Sequence, residues 1–394
     1  MTRQRSEPGV PMKVTIHSSM SDIVCDEWNA LAGSTYPFLR HEFLRLAEET
    51  GCVTPELGWT PRHLTIADSD GSGKLRAAMP LYEKSHSWGE FVFDWAWANA
   101  YEQAGLSYYP KLVSAVPFTP APSTRLLLRD PGDSEAANGL LQAGIKLATE
   151  TDCSSLHLLF ATDADLPHLQ NAGLLVRKDC QFHWQNNNYR SFDDFLATFT
   201  SVKRKKARRD RRRVEESGIQ FRRLKAADLD AETWSVVYQL ISRTFLIRGS
   251  TPYFNESFFR ALSSEIPEGV LVILAEKNTL PVAAAVFFES ETTLYGRYWG
   301  SDGHYDSLHF ETCYYQGIDY CIDTGKQVFE PGTQGEHKIS RGFSPVSTWS
   351  AHWLAHPEFS SAIERYLDEE GKHVDRYIDA VDAHTPYKNS GNDE

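Results

Sequence analysis

The stretch Phe329 to Phe343, FEPGTQGEHKISRGF, gathers two glutamates, a histidine, a lysine, an arginine and three glycines at the end of a strand-like run. Such residues suit transfer of a carbonyl group to an amine. A carboxylate or imidazole takes the proton that the attacking amine must lose, and a cation or backbone amide steadies the charge that develops on the carbonyl oxygen. Glu330, Glu336 and His337 are the candidates for the first task, Lys338 and Arg341 for the second. A loop after a core strand is a common seat of function. The competing reading is a glycine-rich connection with ordinary surface charge.

Three further stretches carry chemistry. In RGSTPY, a glycine turn, two hydroxyls and a fixed cation follow a helix, which makes Arg248, Ser250 and Tyr253 candidates for binding an anion or carboxylate. A helix end followed by the cap of the next helix explains every one of these residues except Arg248. In SDGHYDS, Ser301 to Ser307 precedes a helix whose first amides are unpaired, so Gly303 and His304 are candidates for holding a donor phosphate. On that helix His309 and Cys313 share a face. His309 is a substrate-binding candidate, although packing is the commoner fate of such pairs. His352 and His356 have no third ligand at suitable spacing, and the six cysteines form no C-x-x-C pair, so no metal site is expected and the thiols read as free in a reducing cytosol.

The formal net charge is -13, yet Lys203 to Arg213 holds nine basic residues and one acidic one. Positive charge is therefore concentrated in one segment. Its helical spacing points the charges all round the axis, with Lys206, Arg209 and Arg213 as candidates for a phosphate-rich donor. A solvated helix linking two domains is the plainer reading. The acidic remainder, and the absence of any helix-turn-helix, zinc-finger or RNP motif, argue against DNA. No apolar run approaches the ~18 residues of a membrane span, and no apolar stretch follows Arg3 and Arg5, so a soluble, cytoplasmic protein is expected.

The elements that must position these residues follow from periodicity and punctuation. Helices are expected at Asp22 to Leu31 and His41 to Thr50, then strands around His63 to Asp68 and Leu75 to Tyr82. Prolines 110, 117, 120 and 122 mark Trp95 to Pro122 as irregular and groove-shaping, with Tyr108 and Lys111 as substrate-binding candidates. A helix (Ser134 to Thr151), a strand (Ser155 to Phe160) and a short helix (Leu166 to Ala172) complete a first α/β unit by about residue 188. The second unit opens with one long helix, Ser191 to Ser217, stopped by Gly218. A strand (Ile219 to Leu224), helices (Glu232 to Ile247, Asn255 to Leu262), a strand (Val270 to Glu276), a hairpin (Val282 to Gly300) and a helix (Ser307 to Asp323) come next. Gln327 to Glu330, Trp349 to Ala355 and a polar C-terminal helix close the series.

The basic helix ending at Gly218, the hairpin ending in LYGRYWG, the helix Leu308 to Gly325 and FEPGTQGEHKISRGF follow the order seen in the C-terminal half of FemAB-like proteins, GNAT-related enzymes with tandem domains. HEFL at His41 to Leu44, the segment Tyr108 to Pro122, RGSTPY and HFETCYYQGIDYCI resemble more closely a family of N-acyltransferases described as peptidoglycan biosynthesis or recognition proteins. The resemblance runs from about Met12 to about residue 385. It implies an α/β (α+β) fold of two GNAT-like domains, 12–188 and 189–385, with mixed, mostly antiparallel sheets flanked by helices. The segments 1–11 and 386–394 are expected to be disordered. It also implies direct transfer of an acyl or aminoacyl group from acyl-CoA or aminoacyl-tRNA, as co-substrate rather than tightly bound cofactor, to an amine such as that of a peptidoglycan precursor. The acceptor would lie in a groove between the halves. Two motifs depart from the relatives. The acetyl-CoA signature is missing from Ser301 to Leu308, and the lysine of the Phe-Lys-x-x-Phe-like motif of Fem enzymes is Ser340 here, leaving Lys338 or Arg341 to supply the cation. The alternative is a catalytically idle GNAT-like module that binds peptidoglycan precursors or RNA.

Overall fold

The computed structural model of the protein describes residues 13–33, 36–333 and 335–388. The disorder expected of 1–11 and of 389–394 lies outside them. In chain order the strands are β1 (Val14–His17), β2 (Trp59–Pro61), β3 (His63–Ala67), β4 (Leu75–Met79), β5 (Tyr82–Lys84), β6 (Lys111–Ser114), β7 (Leu127–Leu128), β8 (Ser155–Ala161), β9 (Leu175–Gln185), β10 (Ile219–Lys225), β11 (Val270–Lys277), β12 (Leu280–Glu289), β13 (Thr293–Ser301), β14 (Val328–Glu330) and β15 (Ser344–Leu354). They form a four-stranded sheet, β1-β3-β4-β7, and an eleven-stranded sheet, β10-β11-β12-β13-β14-β9-β15-β8-β6-β5-β2. Among the described residues only β13–β14 and β6–β8 are parallel pairs. The fold is thus the expected one, mixed and mostly antiparallel sheets flanked by helices.

Burial on both faces explains the composition of the central strands. VLVILA in β11 and AAAVFF in β12 are unbroken apolar runs because helices cover the sheet on each side. Helix Ala231–Ile247 starts where the Asp230 carboxylate accepts from the Thr233 amide at 2.8 Å. Its buried residues Trp234, Val237, Leu240 and Ile241 face β12 and β13. Gly300 sets the approach: a Cβ there would lie 1.9 Å from the Leu240 carbonyl oxygen. Only glycine lets the helix lie this close, and the helix end carries Thr244 to Arg248 with it.

Three expectations change, and one expected strand has an unexpected seat. The helix expected over Ser191 to Ser217 is two helices, Phe192–Ala197 and Ser201–Glu216. Between them Phe199 is buried, and the backbone of Thr198 and Thr200 pairs with Lys388 and Pro386 at 2.9 Å. Residues 386–388 are accordingly held in place rather than disordered, and the Tyr387 hydroxyl donates to the Gly342 carbonyl at 2.6 Å. Trp95 to Pro122 is not irregular throughout. The prolines begin at 110, which leaves Trp95–Gln103 free to form a helix with Trp97 and Tyr101 buried at i, i+4. Finally, β15 comes from the second half of the chain yet lies between β9 and β8, in register with both, and helix Pro357–Asp382 packs over β9 and β15.

Candidate functional site

Strands β13 and β14 run side by side only from Thr293 and Val328 to Tyr295 and Glu330. Beyond that point β13 continues to Ser301, whereas β14 ends in Pro331-Gly332-Thr333. The backbones part, and a cavity of about 360 Å³ occupies the gap. The crevice beyond the carboxyl ends of parallel strands is a recurrent ligand site in α/β proteins. Gly296 to Trp299 line one side and Pro331 to Thr333 the other. Thr244, Phe245, Arg248, Ser250 and Tyr253 come from the end of helix Ala231–Ile247 and its turn, and Phe91, Phe118 and Pro120 come from the first half of the chain.

His309, Cys313 and Tyr314 enter from a helix that widens into a π-helical stretch, Glu311–Tyr315, between Leu308–Phe310 and Gln316–Thr324. Single π turns inside helices recur at functional sites because the extra residue shifts the side chains that follow. Burial raises the Cys313 thiol well above its usual range, so this sulfur stays protonated and is a poor nucleophile.

Lys338 is a buried cation in the cavity wall. It is 1% exposed, and its ammonium donates to the Gly332 carbonyl at 2.5 Å. Burial, opposed by Glu330 and helped by Arg297, brings its pKa down to about 7. Burial, followed by the charges of His337 and Arg341, brings His309 down to about 4, so its imidazole is neutral near pH 7. Arg297 is locked by Glu330 at 2.8 Å and by the Gly296 carbonyl at 2.8 Å, while its buried Nε–H has no partner among the described residues. A buried donor left unpaired is costly and marks a place where a ligand can accept.

Of the residues singled out by sequence, Arg248, Ser250, Tyr253, His309 and Lys338 meet in this cavity. Glu330 stands behind its wall, held by Arg297 and 4.0 Å from His183. Glu336 is exposed and accepts from the Tyr377 hydroxyl at 3.0 Å. His337 pairs with the Tyr314 hydroxyl at 2.8 Å, one residue removed from the lining. Arg341 covers the Phe310 ring at 3.4 Å and lies 3.5 Å from Asp210, bound into the packing rather than facing the cavity.

Tyr108 and Lys111 are far from any groove-lining role. The Lys111 ammonium is fully buried on Glu90 (2.7 Å), Asp94 (2.5 Å) and Ser87 (2.8 Å), and the Tyr108 hydroxyl donates to Asp94 at 2.6 Å. Both anchor the segment Ser85 to Trp95. On the basic helix Arg208 pairs with Asp193, and Arg211 with Glu311 and Asp319. Lys206, Arg209 and Arg213 are exposed without ion pairs among the described residues. Gly303 and His304 lie in an exposed turn near the end of that helix, where Val214 packs with Leu308 and Tyr305. His352 is buried against His157 at 2.7 Å, and His356 packs on Phe359.

Arg297 escaped sequence reasoning, although a lone cation in the aromatic strand run LYGRYWG was a usable signal. Phe91, Phe118 and Pro120 had no such signal, because only the meeting of the two halves brings them to the cavity.

The FemAB-like family model, described as peptidoglycan biosynthesis/recognition, matches residues 19–389. No curated protein matches the sequence. Among solved structures the chain is similar to FemX, at 11% identity and a TM-score of 0.54, covering 90% of this chain and 100% of that one. At that identity the likeness fixes the fold alone. It is also similar to L-PGS from Bacillus licheniformis (13% identity, TM-score 0.48, 82% of this chain and 95% of that one) and to a tandem GNAT protein from the clavulanic acid biosynthesis pathway (10%, 0.46, 88% and 99%).

Proposed function

Because this chain belongs to the FemAB-like family, we propose that it transfers an acyl or aminoacyl group from an activated ester or thioester to an amine held in the cavity. The observation that carries this reading is a buried lysine with a pKa of about 7 in a cavity of aromatic walls. Neutral Lys338 takes the proton that the amine loses as its nitrogen bonds to the donor carbonyl carbon. The unpaired Nε–H of Arg297 donates to the carbonyl oxygen as charge builds there. When the bond to the leaving oxygen or sulfur breaks, the Lys338 ammonium returns the proton to it. Neutral His309 orients the amine, and exposed Arg248 at the mouth takes a substrate carboxylate or phosphate.

The donor is an aminoacyl-tRNA or an acyl-CoA, and the unpaired exposed charges of Lys206, Arg209 and Arg213 support a phosphate-rich one. The acceptor is a peptidoglycan-precursor amine, in keeping with the family description. A catalytically idle binding module is the second reading, favoured by one observation: neither Glu330 nor Glu336 reaches the cavity.

The test pairs charged tRNA and a series of acyl-CoAs with precursor amines and reads acceptor mass. The expected result is an acyl adduct with the wild-type chain and a loss of ~100-fold or more in Lys338→Met. Ligand-induced rises in melting temperature without any adduct, unaltered by Lys338→Met, would establish the idle module instead.

A further inference from the structure

Two apolar lips frame the mouth of the cavity. Of the described lining residues only Arg248 and Ser250 are exposed, so the cavity opens beside the turn after helix Ala231–Ile247. Leu246 and Ile247, at the end of that helix and 66% and 83% exposed, sit between the lining residues Phe245 and Arg248. From the first half of the chain Phe91 reaches the same cavity and meets Tyr253, ring centroids 5.6 Å apart. Phe91 belongs to Ser85 to Trp95, which exposes Trp88, Phe93 and Trp95, with the two tryptophans edge to face at 5.7 Å. A single exposed Leu or Phe is ordinary, but two segments that meet at this opening through Phe91 and Tyr253 together expose five large apolar side chains.

Charge decides what covers it. Ser242 to Phe254 contains no acid and exposes Arg243 and Arg248. The two acids of Ser85 to Trp95, Glu90 and Asp94, are buried on Lys111. The lip after helix Ala231–Ile247 is therefore apolar and cationic, and the other is apolar with no exposed acid of its own, on a chain whose net charge is -13. A second copy related by a two-fold axis would set these arginines against each other and close the mouth. A bilayer with anionic headgroups satisfies both features: tryptophan and aliphatic side chains enter the headgroup region, and the arginines meet lipid phosphates.

We propose that the mouth of the cavity docks on an anionic lipid bilayer, so that one substrate of the transfer enters from the membrane surface. The choice of substrate rests on the transfer reading above; the docking itself is measured without any turnover. Co-sedimentation of the full chain with vesicles of phosphatidylglycerol in phosphatidylcholine, and with pure phosphatidylcholine, is the experiment. Binding to the anionic vesicles only, weakened about tenfold or more by Leu246→Ser with Ile247→Ser and by Trp88→Ser with Phe93→Ser, is expected. Leu280→Ser, at an exposed hairpin turn elsewhere, keeps wild-type binding, and matching melting temperatures show that the variants are folded. No sedimentation with either vesicle, binding that the lip variants keep, or a concentration-dependent dimer abolished by those variants would overturn the proposal.

Discussion

Lys338 owes its reactivity to what surrounds it. An ordinary lysine is charged far above neutral pH, but burial beside Arg297 removes much of the advantage of the charged form, and Glu330 only partly restores it. If the neutral amine is the working form, transfer rises with pH from 6, by ~10-fold per unit below the pKa, and levels off above about 7. Initial rates between pH 5.5 and 9 measure this. Lys338→Arg, protonated throughout, is expected to be inactive across the whole range, whereas a rate that falls through pH 7 would assign Lys338 the charged role. Glu330 behaves differently, since it only holds Arg297 in place. Glu330→Gln leaves a buried guanidinium without its counter-charge and is expected to cost ~3 kcal/mol of stability in denaturant unfolding.

At the scale of elements, the cavity exists because β13 and β14 diverge and because helix Ala231–Ile247 lies flat on Gly300. Gly300→Ala forces the Leu240 carbonyl aside, which is expected to destabilise by ~2 kcal/mol or more and to weaken ligand binding through the displaced Thr244 to Arg248. Chemical unfolding and a ligand titration separate the two effects. The segment Ser85 to Trp95 depends in the same way on Lys111. Lys111→Met strands Glu90 and Asp94 in the interior, and limited proteolysis is expected to cut near Trp88 in that variant before it cuts the wild type. Much of this level was legible in the sequence. The helices after Asp230 and Asn255, the apolar run of β11 and the stop at Gly218 announce themselves locally. The break at Phe199 and the seat of β15 were not legible, because each is decided by a partner distant in sequence, Pro386 to Lys388 in one case and β8 with β9 in the other. For the same reason Lys338 was legible as a candidate, whereas its choice over Arg341 was not: both are cations in one loop, and only packing turns one to the cavity and the other onto Phe310.

Over the whole molecule, one sheet runs unbroken through both halves by way of β14, β9 and β15, so the cavity walls contributed by each half are tied together by backbone hydrogen bonds. Where β8 meets β15 the sheet holds an acid-sensitive pair, His157 and His352, ring nitrogens 2.7 Å apart. Burial first holds both well below 6.5, with further lowering from Lys111 and Arg177, and for His352 from His157 as well. The folded chain therefore binds fewer protons than the unfolded one below pH 6.5, and stability falls as pH drops through that value, by up to ~1.4 kcal/mol per unit for each group. Melting curves from pH 7.5 to 5 are expected to show this loss, with a shallower slope in His352→Gln. Transfer by this route requires a neutral amine inside a cavity built by both halves. Its most direct test is a carbon-13 NMR titration of lysine side chains in the wild type and in Lys338→Arg. One lysine Cε resonance that titrates near pH 7 and is missing from the variant is expected; a Lys338 resonance that stays in its protonated position beyond pH 10 would rule out the neutral amine.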